Sequence, residues 1–285
     1  MAGPLKLLFC FVSSAIVASA IVVIATVAPS YADPLKGVGL EFAMFNTAPG
    51  VQTGQPAICP AGSVPLGGGG QVYYPSEVWL ASSTPTVGNT GWDIDYNNYR
   101  TLTTPAELYA ICANAPADYR IVSSGLVLAP PGVQSKAEAT CPAGTVVLGG
   151  GVTSFSAYSV NISDSYPNGK TGWVGAMSNT SGVDTNIEAY ATCGAKPEGY
   201  KIVSKSRNMP AHRGNEVEPN CGNPEKEEVI GGGVSSSSRS TQVNVETTAP
   251  LSFLGGPWDS LEANYSSSDA SMTGYAICAH QPTSG

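Results

Sequence analysis

An all-β chain made of three copies of one unit is what this sequence predicts, on three observations. First, a Cys, a hydrophobic-Gly-Gly-Gly run, a Pro, a Trp and a Tyr-x-x-Cys recur in the same order, beginning at Cys59, Cys141 and Cys221. Second, the Trp stands 20 residues before the closing Cys in every copy: Trp92 and Cys112, Trp173 and Cys193, Trp258 and Cys278. Third, no long segment with a 3.6-residue apolar period follows residue 32, whereas short β-type runs do. A repeat of about 80 residues dictates architecture and is read first. It divides the chain into a leader (1–32) and repeats at 33–118, 119–199 and 200–285. Five or six short strands per repeat and essentially no helix are expected, with the copies packed in pseudo-threefold symmetry. Three separate beads are the alternative.

The leader comes first. Lys6 gives a positive start, Leu7 to Ala28 is almost wholly apolar, and Ser30-Tyr31-Ala32 supplies small residues at a cleavage site. That pattern is a secretory signal helix, cleaved before Asp33 and taking Cys10 with it. Association with a membrane is expected only if this segment is retained as an anchor. The remaining chain has 253 residues, and its formal charge moves from −8 to −9 on loss of Lys6. An acidic surface repels phosphate backbones, which argues against nucleic acid as a partner.

Six cysteines remain, two per copy, and six allow fifteen pairings. Repetition selects Cys59–Cys112, Cys141–Cys193 and Cys221–Cys278. Each closes a loop of roughly 55 residues, worth about 4 kcal/mol by chain entropy. Such bridges imply an oxidising, extracellular setting. A zinc site is excluded by the lack of Cys-x-x-Cys and by only two histidines, His212 and His280. No cofactor or metal is called for.

Within a copy the elements follow in order. Tyr109-Ala-Ile-Cys-Ala, a Pro-containing turn and Tyr119-Arg-Ile-Val read as strand, turn, strand. Cys141-Pro-Ala-Gly is a turn into a buried strand that ends in Gly149-Gly-Gly, matched by Gly67 and Gly231. Glycines in a strand mark a bulge or a close approach. A phosphate cradle is disfavoured, since no Lys-Ser/Thr follows. A second strand ends at Pro167, Pro85 or Pro250, and Gly172-Trp173 or its counterpart follows. An Asn lies six residues past each Trp (Asn98, Asn179, Asn264), and a Tyr three before each closing Cys (Tyr109, Tyr190, Tyr275). These fixed offsets read as scaffold. The Trp covers the glycines, where missing Cβ atoms make room, and the Asn satisfies buried backbone groups at a bend. At the ends, Gly39-Leu-Glu-Phe-Ala-Met-Phe is expected to pair with the last strand, Tyr275 to Ala279, covering an open edge.

The run Cys-Pro-Ala-Gly-x-Val-x-Leu-Gly-Gly-Gly … Ser-Tyr-Pro … Gly-Trp … Tyr-Ala-x-Cys resembles a repeat of secreted actinobacterial and phage tail-associated proteins. The likeness is best at Cys141–Gly151, Ser165–Pro167, Gly172-Trp173 and Tyr190–Cys193. Copy three departs most, with Cys221-Gly-Asn-Pro and Pro257-Trp258. The resemblance implies a bacterial extracellular β module and lends no catalytic residues.

Function is sought in residues that break the repeat. Copy one alone carries Tyr73, Tyr74, Trp79, Tyr96 and Tyr99, with Asp95 beside them. Aromatics on a β surface stack on sugar rings while neighbouring carboxylates and amides bond hydroxyls, and exposed aromatic patches mark binding surfaces. The plainer account packs these rings against a neighbouring copy. The expected function is a secreted, non-enzymatic module that binds glycan or a cell-surface protein. The alternatives are a self-assembling envelope protein and a hydrolase or hydrolase inhibitor. His212 and His280 are poorly placed for a triad. Asp93 and Asp95 alternate on one strand face but are not repeated, so neither a carboxylate pair nor a calcium site is favoured.

Overall fold

The structure, a computed structural model, describes residues 33–73, 77–156, 158–251 and 255–281. The leader and Tyr74 lie outside the described residues. Among the described residues there is no helix, and 19 strands form three sheets.

Copy one contributes β1 (Gly39–Thr47), β2 (Gln52–Ile58), β3 (Ser63–Val72), β4 (Val78–Pro85), β5 (Gly91–Asn98) and β6 (Thr104–Asn114). Copy two contributes β7 (Arg120–Ser123), β8 (Val127–Ala129), β9 (Gln134–Thr140), β10 (Val146–Ser154), β11 (Val160–Asn168), β12 (Gly172–Asn179) and β13 (Thr185–Gly194). Copy three contributes β14 (Lys201–Met209), β15 (Arg213–Val217), β16 (Glu227–Ser236), β17 (Val243–Pro250), β18 (Trp258–Asn264) and β19 (Ala270–His280).

Every sheet is shared. The first runs β1-β6-β3-β17-β18-β15, the second β2-β5-β4-β10-β13-β7 with β8 also on β13, and the third β14-β19-β16-β11-β12-β9. Copy one therefore joins copy two through β4 and β10, copy two joins copy three through β11 and β16, and copy three returns to copy one through β17 and β3. The copies are hydrogen-bonded in a cycle, at Ser83 with Val152, Ser165 with Val234, and Thr248 with Gly70.

Two expected pairings are corrected. β1 pairs with β6 of its own copy, Gly39 opposite Cys112, and not with Tyr275–Ala279. The Tyr119-Arg-Ile-Val run does not fold back on β6 either; β7 pairs with β13, Arg120 opposite Cys193. The reason is edge occupancy. β6 already lies between β1 and β3, and β19 between β14 and β16, so neither has a free ladder to offer. Asp118, at φ 57°, and the Tyr119 N–H bond to Pro116 O (3.2 Å) turn the chain onward into copy two.

Each glycine of the triplet has its own constraint. The first sits where copies converge: a Cβ on Gly149 would lie 3.0 Å from Gly67 Cα, and one on Gly231 2.5 Å from Leu148 O. The second lies under the tryptophan; a Cβ on Gly150 would be 2.5 Å from Trp173 Cγ, and Gly68 and Gly232 face Trp92 and Trp258 in the same way. The third admits the preceding copy's strand: a Cβ on Gly151 would be 2.7 Å from the Ser83 carbonyl carbon, and one on Gly233 3.0 Å from that of Ser165.

The tryptophans are sealed, at 0%, 1% and 0% exposure for Trp92, Trp173 and Trp258. Their indole N–H groups donate to Ser83 Oγ (2.9 Å), Ser165 Oγ (3.1 Å) and Thr248 Oγ1 (2.8 Å), so no buried donor is left over. The seam residue of each copy thus holds its own Trp and the neighbour's glycine. The disulfides join Cys59–Cys112, Cys141–Cys193 and Cys221–Cys278, with Cα separations of 5.6, 5.6 and 5.7 Å.

The opposite end of each copy is held by asparagine. Asn179 Nδ2 donates to Ala129 O (2.7 Å) and Val183 O (2.8 Å), while its Oδ1 accepts from Ser181 N (2.9 Å). Asn98 bonds Thr47 O, Leu102 O and Arg100 N likewise, and Asn264 bonds Met209 O, Ser268 O and Ser266 N. One buried side chain ties the bend after its strand to the end of β1, β8 or β14. Tyr109, Tyr190 and Tyr275 are half-buried rather than core. Tyr190 donates to Glu188 Oε2 (2.8 Å), and Tyr275 stacks on Tyr166 at 5.4 Å.

Candidate functional site

The six residues singled out as repeat-breakers do not form one patch. Tyr73 stands 44% exposed, where it and Tyr109 both donate to the Glu107 carboxylate. Asp95 is half-buried on β5 across from Gly54, and burial first, then Asp93, raises its carboxyl pKa. Tyr96 is wholly buried, and its hydroxyl donates to Glu246 O of copy three at 3.3 Å. It packs between copies, as the plainer account has it, and cannot meet a ligand. Tyr74 lies outside the described residues.

Trp79 and Tyr99 do come together, at the asparagine end. Their ring centroids are 4.6 Å apart. Tyr99 continues to Tyr158 of copy two at 5.0 Å, and Trp79 to Tyr265 of copy three at 5.8 Å. The result is a row of four half-buried rings, Tyr158–Tyr99–Trp79–Tyr265, drawn from all three copies. Tyr158 and Tyr265 were not singled out from the sequence. The signal for Tyr265 was present: the position after the bracing Asn is Tyr99, Thr180 and Tyr265 in the three copies.

Amides support the row. Asn161, which stands in copy two where copy one has Trp79, donates from Nδ2 to Tyr99 Oη at 3.1 Å. Asn97 Nδ2 donates to Asn161 Oδ1 (2.9 Å) and Val160 O (3.1 Å). The Tyr158 hydroxyl donates to Asn98 O at 3.4 Å. Burial raises the Tyr99, Tyr158 and Tyr265 hydroxyl pKa values, so all three are neutral at physiological pH. Among the buried polar atoms with no protein partner are Trp79 Nε1, Asn97 Oδ1, Asn244 Oδ1 and Glu246 Oε1. The Glu246 carboxyl adds to burial in raising the Tyr96 and Tyr265 hydroxyl pKa values.

Other titratable groups are scattered. His212 lies in the turn before β15 at the asparagine end, whereas His280 closes β19 at the disulfide end beside Glu198 (3.4 Å). Five carboxyls missed from the sequence are buried: Asp164, Glu228, Glu246, Asp259 and Glu262. Four belong to copy three, and the fifth, Asp164, pairs with Arg239 of that copy at 3.2 Å. Among the described residues no group of three or more His, Cys, Asp or Glu is placed to hold a metal ion. No protein-family model matches this chain, and no curated protein matches it.

Proposed function

We propose that this chain is a secreted, non-enzymatic binding module on a pseudo-threefold scaffold, and that its ligand is a glycan, free or carried on a cell-surface partner. The observation that carries this reading is the four-ring row at the junction of the copies. Half-buried neutral aromatics offer flat apolar faces, and the buried amides of Asn97 and Asn161 hold Tyr99 in its place in the row. The described residues begin and end at the other, disulfide end, where Glu198 N donates to Asp33 O (3.1 Å) and Gln281 N to Lys226 O (2.9 Å). The row therefore lies at the opposite end of the fold from Asp33 and Gln281. Three intramolecular disulfides suit an oxidising compartment, which supports secretion. The resemblance to secreted actinobacterial and phage tail-associated repeats points the same way.

Trp79 makes the test direct. The other three tryptophans are sealed, so quenching by acrylamide reports Trp79 alone. Glycan-array binding that protects Trp79 from quencher and is abolished in Trp79→Ala supports the proposal. Binding left unchanged in both Trp79→Ala and Tyr99→Ala refutes it.

Self-assembly has one observation in its favour. The edge strand β1 exposes Phe42 (53%) and Met44 (59%), where β14 of copy three has Ser204 and Ser206. Sedimentation of the intact chain against Met44→Ser decides it: a concentration-dependent dimer lost in the variant supports assembly, and a monomer throughout removes it.

A further inference from the structure

We infer that a groove at the disulfide end of copy one is a second binding site, and that it takes a lysine side chain presented by another protein. It is separate from the aromatic row and does not rest on the function proposed for that row.

The groove is a cavity of about 420 Å³, inside the range of about 300–1,000 Å³ usual for ligand pockets. Gly39 and Glu41 of β1, the turn from Pro60 to Ser63, and Cys112 and Asn114 of β6 line it. The other copies show what fills the same place. Gly39 lies opposite Cys112, Arg120 opposite Cys193, and Lys201 opposite Cys278, so the position that is Gly in copy one is basic in copies two and three. Ser63 lies opposite Asn114 just as Glu227 lies opposite His280. In copy three, Lys201 Nζ donates to Glu227 Oε1 at 2.6 Å. That hydrogen bond foremost, with the Asn223 N–H and the His280 charge adding to it, holds the Glu227 carboxyl below its ordinary range. Copy three thus fills its groove with a lysine on a carboxylate. Copy one has Gly39, Ser63 and Asn114 there, and the space stays open.

Charge says what completes it. Glu41 lies opposite Ala110, where the other copies place Val122 opposite Ala191 and Val203 opposite Ala276. Copy one has therefore exchanged the base of its neighbours for an acid, on the same strand face as Gly39. Among the described residues no cation pairs with Glu41. Lys36 is exposed and does not line the groove. The Ser63 hydroxyl donates to Pro60 O (2.7 Å), which leaves its lone pairs as acceptors beside Glu41 and the Asn114 carbonyl oxygen. A lysine ammonium brings three donors and no acceptor, and so matches this set. A polypeptide is the fitting carrier because β1 is the outer strand of its sheet. An extended segment can run along that edge and drop a side chain into the groove.

The test titrates the intact, disulfide-bonded, isotope-labelled chain with lysine blocked as N-acetyl-lysine methylamide, with the matching norleucine compound, and with glucosamine. Amide shifts in NMR are the readout. Lysine is expected to move Gly39, Gly62 and Ser63, and norleucine to bind at least about fivefold more weakly. Glu41→Gln is expected to weaken lysine about fivefold. A Cβ on Gly39 meets nothing within 4 Å and its φ is not positive, so Gly39→Lys keeps the fold and supplies the base from within. That variant is expected to lose at least about tenfold in affinity with an unchanged melting curve. Trp79→Ala is expected to leave the titration as it was. Lysine shifts that survive Gly39→Lys place the ligand elsewhere and overturn the site. Norleucine that matches lysine overturns the charge argument. Glucosamine that binds more tightly than lysine overturns the protein partner in favour of an amino sugar. Silence of the groove amides with every probe overturns the inference outright and leaves the aromatic row, tested by Trp79 quenching, untouched.

Discussion

The substitution Gly151→Ala probes the link that makes three copies one fold. The added methyl would lie 2.7 Å from the Ser83 carbonyl carbon, and closer still to its oxygen, with Trp92 Cζ2 at 3.2 Å. Carbon atoms pack best at about 3.5–4.0 Å. A strand of copy one must therefore retreat by on the order of 1 Å. That retreat strains the β4–β10 bridge, the Trp92 Nε1–Ser83 Oγ bond (2.9 Å) and the Ser82 Oγ–Thr153 Oγ1 bond (3.0 Å). Two or three hydrogen bonds at about 1 kcal/mol each, added to about 1–3 kcal/mol for overpacking, give a loss of about 3–6 kcal/mol. Against a total of about 5–15 kcal/mol that is severe. Gly144→Ala is the control. A Cβ there meets nothing within 4 Å, and only its φ of +87° is strained, at a cost of about 1–2 kcal/mol. Urea unfolding of the oxidised protein measures both. If Gly151→Ala loses no more stability than Gly144→Ala, the close approach does not hold the copies together and the reasoning fails.

Stability is expected to fall as pH rises from 5 to 9. Burial raises Asp164 to about 6, Glu228 to about 7, and Glu246 and Asp259 to about 8. A carboxyl raised in the folded state contributes stability present below its unfolded value near pH 4 and lost as pH climbs through the folded value, here the window 6 to 8. Urea midpoints across that range, repeated in Glu246→Gln with a flatter profile expected, check this; a midpoint that rises toward pH 9 contradicts it. Asn179→Ala leaves Ala129 O, Val183 O and Ser181 N without their partner and is expected to cost about 2–4 kcal/mol in the same assay. Fluorescence of the unliganded chain is expected to show one acrylamide-accessible tryptophan, lost in Trp79→Phe, and residual quenching in that variant would show that a buried Trp is open.

The strands and bridges were legible because repetition removes ambiguity: one disulfide pairing survives symmetry, and the Trp-to-Asn offset fixes where β5, β12 and β18 end. Strand partners were not legible. Whether β1 closes on β6 or β19 is decided by which strand has a free edge, and that depends on the whole sheet order. Tyr96 illustrates a signal available but unused. Trp92, Ile94 and Tyr96 alternate along β5, so the period of two that buries Trp92 buries Tyr96 too. Trp79 stood out because copies two and three have Asn161 and Asn244 in its place. Tyr158 escaped because the sequence reads it as the first residue of the strand that ends at Pro167, whereas it precedes β11 in a loop and joins rings from the other copies.

A cycle of copies also explains why the row needs unequal repeats. The layer that holds Trp79 in copy one holds Asn161 and Asn244 in the others, and all three strands β4, β11 and β17 start there. Glycines converge between copies at the other end, and they can repeat because they add no volume. An indole cannot repeat in the same way: each copy that offered one would claim the space its neighbours need, and overpacking costs stability. One tryptophan framed by two amides satisfies both packing and hydrogen bonding. The same logic separates the buried carboxyls, confined to copy three and its seam, from the aromatic excess of copy one. Positions that build the cycle must be threefold. Positions around the junction need only sum to a filled space, and that is where a binding function can enter without unmaking the scaffold.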